Sequence, residues 1–307
     1  MDRYAPLPTI DQLGALAEDL GQPIGFDHRV PGGLGGTIDV LGVGDGTDKI
    51  VLRRYWLPEE NERNPAEGEF RALALAAEHG IPAPAPLWID RVGLFPERAI
   101  VISYIEGKPL LGPDDQESWA EQLARVLVMI HGIRLDPADS DLFPEIGYDD
   151  HHHSGEETLE ALRLHPLGPE LWAKRNEAAE SFELSDPVYL HHDFWPGNTL
   201  WVDQELLAVV DWEGGCVGDP ALDVAYCALD MRLIDLHDAA DWFVDSYRRQ
   251  SGRELRNLGY WELAALCRPM GDLDLWVESW GTMGVEITVD EARRRHTSLI
   301  SSALGNG

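Results

Sequence analysis

The sequence predicts an α+β fold with a small, sheet-rich N-terminal part and a larger, mainly helical C-terminal part. Three strand-like runs fall within residues 26–56, separated by a glycine-rich turn and by Asp45-Gly46, a dipeptide that favours tight hairpins. From about residue 118 onward, apolar residues recur instead at helical spacing. We therefore divide the chain into residues 1–105 and 106–307, at a Gly-Lys-Pro break.

The N-terminal part begins with a helix predicted over residues 10–20, where three leucines share one face. After the three antiparallel strands, a second helix is predicted over residues 65–78, and Gly80 ends it. The nearly all-apolar run AIVISYI, at residues 99–105, is typical of a central strand. This part is thus predicted to be built around a small antiparallel sheet.

The C-terminal part begins with the amphipathic stretch SWAEQLARVLVMIHGI, which predicts a helix capped by Ser118 or by the acidic residues before it. Two helices are predicted over residues 157–183, and more follow towards the C-terminus. A short hairpin is predicted between residues 199 and 210, with a polar turn at 203–205.

The composition excludes several classes of function. A net charge of −31 repels nucleic-acid phosphates, so we expect no nucleic-acid partner. No apolar run is long enough for a membrane helix and no signal-peptide pattern is visible, so we expect a cytoplasmic protein without membrane association. The three cysteines form no CxxC pair, which favours buried thiols over a zinc site. Nothing in the sequence indicates an oligomeric state.

Candidate catalytic residues cluster in HHDFWPGNTLW, at residues 191–201, and in the hairpin that follows. Asp193 and Asn198 lie on either side of a Pro-Gly turn, which lets both side chains point to one side of a loop. Because the ends of an antiparallel hairpin meet, we expect Asp211 to return close to Asn198. Amide and carboxylate oxygens suit Mg²⁺, and a second aspartate can orient an attacking hydroxyl, so the set predicts phosphoryl transfer.

Four upstream features supply the other parts that phosphoryl transfer from a nucleotide requires. The turn PGGLGGT offers backbone N–H groups to phosphates, through Gly32, Gly33, Gly35 and Gly36. Arg53 or Arg54 supplies a cation from a strand, and strand alternation lets only one of them face the nucleotide. Glu69, on the next helix, can pair with that cation. The backbone of one further segment is a candidate for contact with adenine, at Ser103, Tyr104 and Ile105.

These motifs resemble the aminoglycoside phosphotransferase and choline kinase-like family, whose members have a two-lobed, protein-kinase-like fold. The resemblance runs from about residue 23 to residue 300 and is most specific in HHDFWPGNTLW and in AVVDWEGGCVGDPALDVAY, at residues 208–226. It implies that ATP or GTP, bound between the lobes, phosphorylates a hydroxyl of a small molecule. It also implies that Asp193 is the catalytic aspartate and that Asn198 and Asp211 bind Mg²⁺.

The chain departs from the family pattern at three positions. His192 stands where the family usually has glycine, so we treat it as a candidate substrate contact. The strand cation is often lysine in the family, and we assign it here to Arg53, which matches the V-L-[KR] position. An arginine fork binds phosphate oxygens differently from a lysine. Glu213, in Asp-Trp-Glu, is a candidate ligand for a second ion or for a cationic substrate.

Other residues have ordinary structural interpretations. His191 is expected to support the catalytic loop, and Asp219 and Asp223 to cap a helix or brace a loop. Residues 149–153, with three adjacent histidines, are expected to form a solvated loop rather than a metal site. Three C-terminal tryptophans recur at roughly helical spacing and are expected in the core, although two of them are also candidates for a wall beside a cationic substrate, Trp276 and Trp280.

The acidic composition favours a polyamine-bearing acceptor such as an aminoglycoside antibiotic. Other acceptors stay open: a choline-like alcohol, a macrolide, homoserine, a sugar or a fructosamine. Two other classes also stay open. One is a nucleotide-binding pseudokinase, against which the complete catalytic set argues. The other is a metal-dependent phosphohydrolase using His191, His192 and Asp193, which would not need the glycine-rich turn.

Overall fold

The computed structural model describes residues 4–31, 35–55, 63–148, 156–183 and 185–305. The chain forms two compact units. The first unit comprises Met1–Glu106 and Leu207–Gly215, and the second comprises Gly107–Leu206 and Cys216–Gly307. The first unit therefore includes a short segment that is distant in sequence from the rest of it, and that segment carries Asp211.

The first unit is built on a five-stranded antiparallel sheet in the order β1-β2-β3-β5-β4. Its strands are β1 (Ile24–Val30), β2 (Gly36–Val43), β3 (Asp48–Tyr55), β4 (Pro86–Ile89) and β5 (Arg98–Ser103). The three strands predicted within residues 26–56 are confirmed. The apolar run predicted as a central strand forms β5, which has a hydrogen-bonded neighbour on each side.

Two helices flank this sheet, with the bounds that the sequence predicts. Helix α1 (Ile10–Leu20) begins at a capping box, in which the side chain of Thr9 accepts a hydrogen bond from the backbone N–H of Gln12. It buries Leu16 in a core formed with apolar residues of the sheet. Helix α2 (Pro65–Glu78) begins with proline after an asparagine cap. Helix α2 also packs against residues 212–214 of the distant segment.

The second unit is mainly helical. Its helices are α3 (Gln116–Ile130), α4 (Glu156–Leu164), α5 (Gly168–Ala179), α6 (Ala221–Leu233), α7 (His237–Ser251), α8 (Leu258–Cys267), α9 (Leu273–Thr282) and α10 (Val289–Leu304). Asp115 caps α3 by accepting a hydrogen bond from the N–H of Ser118. Helix α6 is buried along nearly its whole length and packs against α7 and α8. The predicted α+β fold is thus confirmed.

Two small sheets complete the fold. Strands β7 (Thr199–Val202) and β8 (Glu205–Val209) pair as the predicted hairpin. Its turn residues, Asp203 and Gln204, both have positive φ, as a two-residue type I′ turn requires. Strand β6 (Val188–Leu190) pairs with β9 (Cys216–Gly218), a sheet that the sequence did not predict. Within the described part of the chain, no helix combines the length and apolarity needed to cross a membrane.

Candidate active site

Alternation along β3 sends Arg53 and Arg54 to opposite faces of the sheet of the first unit. The Nη1 atom of Arg53 lies 2.6 Å from Oε1 of Glu69 on α2. Arg54 instead lies 2.6 Å from Asp39 and stacks over the ring of Phe95. Arg53 is therefore the arginine that shares a face with Glu69, and Arg54 belongs to the opposite face.

The distant segment brings two more carboxylates to Arg53. Its Nη2 atom lies 2.6 Å from Oδ1 of Asp211 and 3.7 Å from Oε2 of Glu213. Burial alone would lower the pKa of Arg53, but Glu69 and the other negative groups raise it well above its ordinary value. Burial also raises the pKa of Glu69, against the opposite effect of Arg53. Arg53 thus carries a permanent charge that three carboxylates share.

Asp211 combines a left-handed backbone with a partly exposed side chain. It lies at φ 69° and ψ 57°, two residues after the end of β8. Its side chain is 36% exposed, whereas that of Glu69 is 1% exposed. Ligand atoms of Glu69, Asp211 and Glu213 lie within 4.8 Å of one another. Of these three carboxylates, that of Asp211 is the most exposed.

The described part of the glycine-rich turn contacts Glu213. A Cβ atom added to Gly35 would collide with the Glu213 carboxylate. A Cβ atom on Gly36 would collide with the backbone carbonyl of Arg54. Close approach of backbone therefore requires glycine at Gly36, whereas at Gly35 the Glu213 side chain would have to move. Gly32 and Gly33, the other two candidates, lie outside the described residues, as do residues 149–153.

The candidate adenine segment lies at the end of β5. The N–H of Ser103 donates to the carbonyl of Ala85, and its hydroxyl accepts from the N–H of Ala85. Ser103 is therefore held by the residue that immediately precedes β4. Tyr104 and Ile105 follow the last residue of β5, and the Tyr104 ring is 37% exposed with Lys49 above it.

In the second unit, a buried aspartate anchors the catalytic loop. Asp223, on α6, accepts hydrogen bonds of 2.9 Å from the backbone N–H groups of both His191 and His192. His131 lies 3.2 Å from the same carboxylate and 2.6 Å from the hydroxyl of Tyr247. Burial alone would raise the pKa of Asp223, but the hydrogen bond with His131 and the nearby histidines lower it. An ionised carboxylate thus fixes the backbone immediately before Asp193.

At this anchored position, His192 has a left-handed backbone conformation. Its φ is 69°, in the left-handed region where a side chain is strained and glycine is not. The structure therefore explains why glycine suits this position, and the imidazole is mostly buried. His191 is fully buried and packs edge-on against Phe194. Asp219 accepts a hydrogen bond from the N–H of Ala221 at the start of α6.

Asp193 and Asn198 interact directly. The Nδ2 atom of Asn198 donates to the backbone carbonyl of Asp193 at 2.9 Å and to its Oδ2 atom at 2.8 Å. Because both partners are acceptors, the amide must turn its NH₂ group towards Asp193, which directs Oδ1 of Asn198 elsewhere. That oxygen is a hard ligand of the kind Mg²⁺ prefers, so the donor set fits the ion. The Asp193 side chain remains 45% exposed.

Sequence reasoning missed one residue beside Asp193. The Nη2 atom of Arg268 lies 3.5 Å from Oδ1 of Asp193, and its Nη1 atom lies 3.5 Å from Oδ2 of Asp230. The Cζ atom of Arg268 lies over the rings of Tyr226 and Trp276, at 4.1 Å and 5.1 Å from their centroids. No motif marks Arg268, because a single arginine at the end of a helix has no diagnostic spacing.

The three C-terminal tryptophans differ in how deeply they are buried. Trp261 and Trp280 are each 1% exposed and belong to the core, as the structural interpretation predicted. Trp276 is half-buried and packs edge-on against Trp280. The burial of Trp280 leaves Trp276 as the member of this pair that a substrate can reach.

Comparison with known proteins gives these features a context. The sequence pattern of the phosphotransferase enzyme family matches residues 30–265. The structure is similar to that of macrolide 2′-phosphotransferase from Brachybacterium faecium, with a TM-score of 0.59 and 20% identity over 94% of this chain and 98% of that one. It is also similar to a spectinomycin phosphotransferase bound to AMP (TM-score 0.67, 12% identity, 97% and 98% covered).

One further solved structure and one sequence relative are also similar to this chain. Choline kinase from Streptococcus pneumoniae has a TM-score of 0.60 and 16% identity, over 97% of this chain and all (100%) of that chain. Acyl-CoA dehydrogenase family member 10 of Mus musculus is 27% identical over 190 residues, or 53% of this chain. The match spans 16% of the mouse protein. The structural similarities show a shared fold.

Proposed function

This chain belongs to the phosphotransferase enzyme family and is a phosphotransferase; we propose that it transfers the terminal phosphoryl group of ATP or GTP to a hydroxyl of a small molecule. The family resemblance drawn from the motifs is thereby confirmed. The observation that carries the proposal is the pairing of Asp193 with Asn198, in which an exposed carboxylate and an amide oxygen are presented by one anchored loop.

We assign the acceptor chemistry to the second unit. Asp193 orients the acceptor hydroxyl and receives its proton as the phosphoryl group is transferred. Asp223 fixes the loop backbone that precedes Asp193, and the fully buried His191 supports that loop. His192 and Trp276 are candidate contacts for the acceptor. Because the reacting groups are held in place before the reaction, positioning supplies much of the rate gain.

We assign the nucleotide chemistry to the first unit. Arg53, held by Glu69, contacts the phosphate oxygens, which the glycine-rich turn covers with backbone N–H groups. Asp211 and Asn198 are the proposed Mg²⁺ ligands, and the ion would neutralise charge on the phosphates. Glu213 is a candidate ligand for a second ion or a cationic acceptor. The remaining nucleotide contacts are proposed at Gly32, Gly33, Gly35, Gly36, Ser103, Tyr104 and Ile105.

For the acceptor, we propose an aminoglycoside-type antibiotic. The net charge of −31 supports a cationic acceptor, and the fold is shared with a spectinomycin phosphotransferase. The similarity to a choline kinase supports a choline-like alcohol as the second candidate. We also propose that the enzyme acts in the cytoplasm, where nucleoside triphosphates are available.

A nucleotide-consumption screen over aminoglycosides, macrolides, choline and amino alcohols tests the proposal. We expect Asp193→Asn and Asp211→Ala each to lower phosphoryl transfer by at least about 1,000-fold without loss of fold. Asp238→Asn, an equivalent change at an exposed position of α7, should leave transfer unchanged. Full activity in either of the first two variants would refute the assignment. Nucleotide binding without turnover on any acceptor would favour a pseudokinase.

A further inference from the structure

We propose that Arg268 is a positioning residue for Asp193, and that its guanidinium, itself held by Asp230, keeps the Asp193 carboxylate in the orientation that receives the acceptor hydroxyl. The inference rests on the proposed function, in which Asp193 is the catalytic aspartate. It adds a residue that lies outside the motifs of the catalytic loop and of the Asp-Trp-Glu turn.

The two oxygens of Asp193 are held by different partners. Oδ2 accepts a hydrogen bond of 2.8 Å from Asn198, and Oδ1 lies 3.5 Å from Nη2 of Arg268. Asn198 belongs to the same loop, whereas Arg268 lies just after α8. Contacts on both oxygens oppose rotation of the carboxylate about its own axis. Arg268 therefore adds a constraint on Asp193 that comes from outside the catalytic loop.

Arg268 is itself firmly placed. Its side chain is 10% exposed, and Cζ of the guanidinium lies 4.1 Å from the ring centroid of Tyr226 and 5.1 Å from that of Trp276. Packing against two aromatic rings restricts the orientation of the guanidinium. Its nitrogen atoms meet Asp193 on one side and the buried Asp230 on the other. The entropy of ordering this long side chain is therefore lost on folding rather than during the reaction.

The distances suit a positioning role better than a locked ion pair. Both carboxylate contacts are 3.5 Å, longer than the roughly 2.7–2.9 Å of a tight charge-assisted hydrogen bond. The guanidinium thus orients Asp193 without a tight hydrogen bond to Oδ1.

Chemical rescue of Arg268→Ala tests the inference. We expect kcat to fall by about 100-fold, with the KM for nucleotide within about twofold of the wild-type value, because alignment rather than binding is lost. Guanidinium ion at non-denaturing concentration should raise kcat of this variant by at least about tenfold, since it refills the space that the Arg268 guanidinium leaves beside Tyr226 and Trp276. Urea, which has a similar planar shape but no charge, should not. Arg248→Ala, at an exposed position, controls for general effects of guanidinium.

Each outcome bears on the inference. A kcat for Arg268→Ala within about threefold of the wild type overturns it. A large loss that guanidinium does not rescue also overturns it, because such a loss would be structural. If Arg268→Ala fails to fold, Arg268→Lys replaces it, and a wild-type kcat for that variant overturns the inference, because one ammonium group lacks the two nitrogen atoms that contact Asp193 and Asp230. A wild-type enzyme that phosphorylates no acceptor refutes the proposed function itself, which a variant-specific result does not.

Discussion

Arg53 and Asp211 form an ion pair of 2.6 Å between residues that lie 158 positions apart in sequence. The other half of the Arg53 fork is bound to Glu69. The carboxylate proposed to hold Mg²⁺ is therefore neutralised by the cation proposed to bind phosphate. Under the proposed function, a bound magnesium nucleotide would divide this pair. The arginine fork allows both carboxylates to be engaged beforehand.

Arg53→Lys should therefore change the dependence on Mg²⁺. A lysine has one ammonium group and cannot bridge Glu69 and Asp211 as the fork does, so Asp211 is released for the ion. We expect nucleotide binding to reach half-saturation at a lower Mg²⁺ concentration, by about threefold to tenfold. Titration calorimetry at varied Mg²⁺ measures this. Arg54→Lys, on the opposite face of the same strand, is the matched control and should leave the Mg²⁺ dependence unchanged.

Asp223→Asn should loosen the catalytic loop. The carboxylate accepts from two backbone N–H groups with its two oxygens, and an amide offers a single oxygen. One buried N–H then loses its acceptor, at a cost of roughly 1–3 kcal/mol in the free energy of unfolding. We expect denaturant titration to show this loss together with a lower kcat. Tyr247→Phe, which alters only the outer partner of His131, should have the smaller effect on both quantities. Equal effects would contradict the anchoring role of Asp223.

Asp230 should make the protein less stable as pH rises. Burial raises its pKa to about 7, from an ordinary value of 3.8, with Arg268 acting in the opposite direction. Between these values the folded state binds a proton that the unfolded state has released. The stabilisation of the folded state by the protonated Asp230 carboxyl is complete below about pH 4 and is lost as pH rises through 7. Asp230→Asn should therefore gain stability, relative to wild type, between pH 5 and pH 8, measured by thermal unfolding. A constant difference over that range would argue against the shifted carboxyl.

His296 should have the opposite pH dependence. Burial lowers its pKa to about 4, although a hydrogen bond to the carbonyl of Leu266 acts to raise it. The unfolded state binds a proton between pH 6.5 and pH 4 that the folded state does not. Stability from this group is complete above about pH 6.5 and is lost as pH falls towards 4. His296→Gln, which keeps a donor for Leu266, should therefore lose less stability on acidification than the wild type does.

Local signals in the sequence predicted much of the fold. Helices α1 and α2 have the predicted bounds because a capping box, an asparagine cap and a proline mark their first turns. The hairpin between β7 and β8 was readable because a polar turn separates two apolar runs. Strands β6 and β9 were not predicted, since three residues are too few to display an alternation. Their pairing is set by tertiary packing.

The candidate site divides in the same way. Asp193 and Asn198 share one loop, so their spacing was informative. The approach of Arg268 to Asp193 depends on how α8 packs, which no local spacing encodes. Asp223 was expected to cap a helix or brace a loop, but which loop it braces depends on how α6 packs. The left-handed backbone of His192 was likewise hidden, because a histidine gives no sign of positive φ. The presence of histidine where the family usually has glycine drew attention to residue 192, but it did not predict the left-handed backbone.

The composition of the first unit has a consequence for synthesis of the chain. Helix α2 packs against residues 212–214, and Arg63 donates hydrogen bonds to the backbone carbonyls of Glu213 and Gly215. The N–H of Val209 donates to the backbone carbonyl of Pro82. A nascent chain cannot complete these contacts until residue 215 has left the ribosome, long after the sheet has emerged. Until then the charged face with Arg53 and Glu69 lacks Asp211. The first unit is therefore completed only after residues 107–206, about half of the second unit, have been synthesised, which ties completion of the first unit to synthesis of the second.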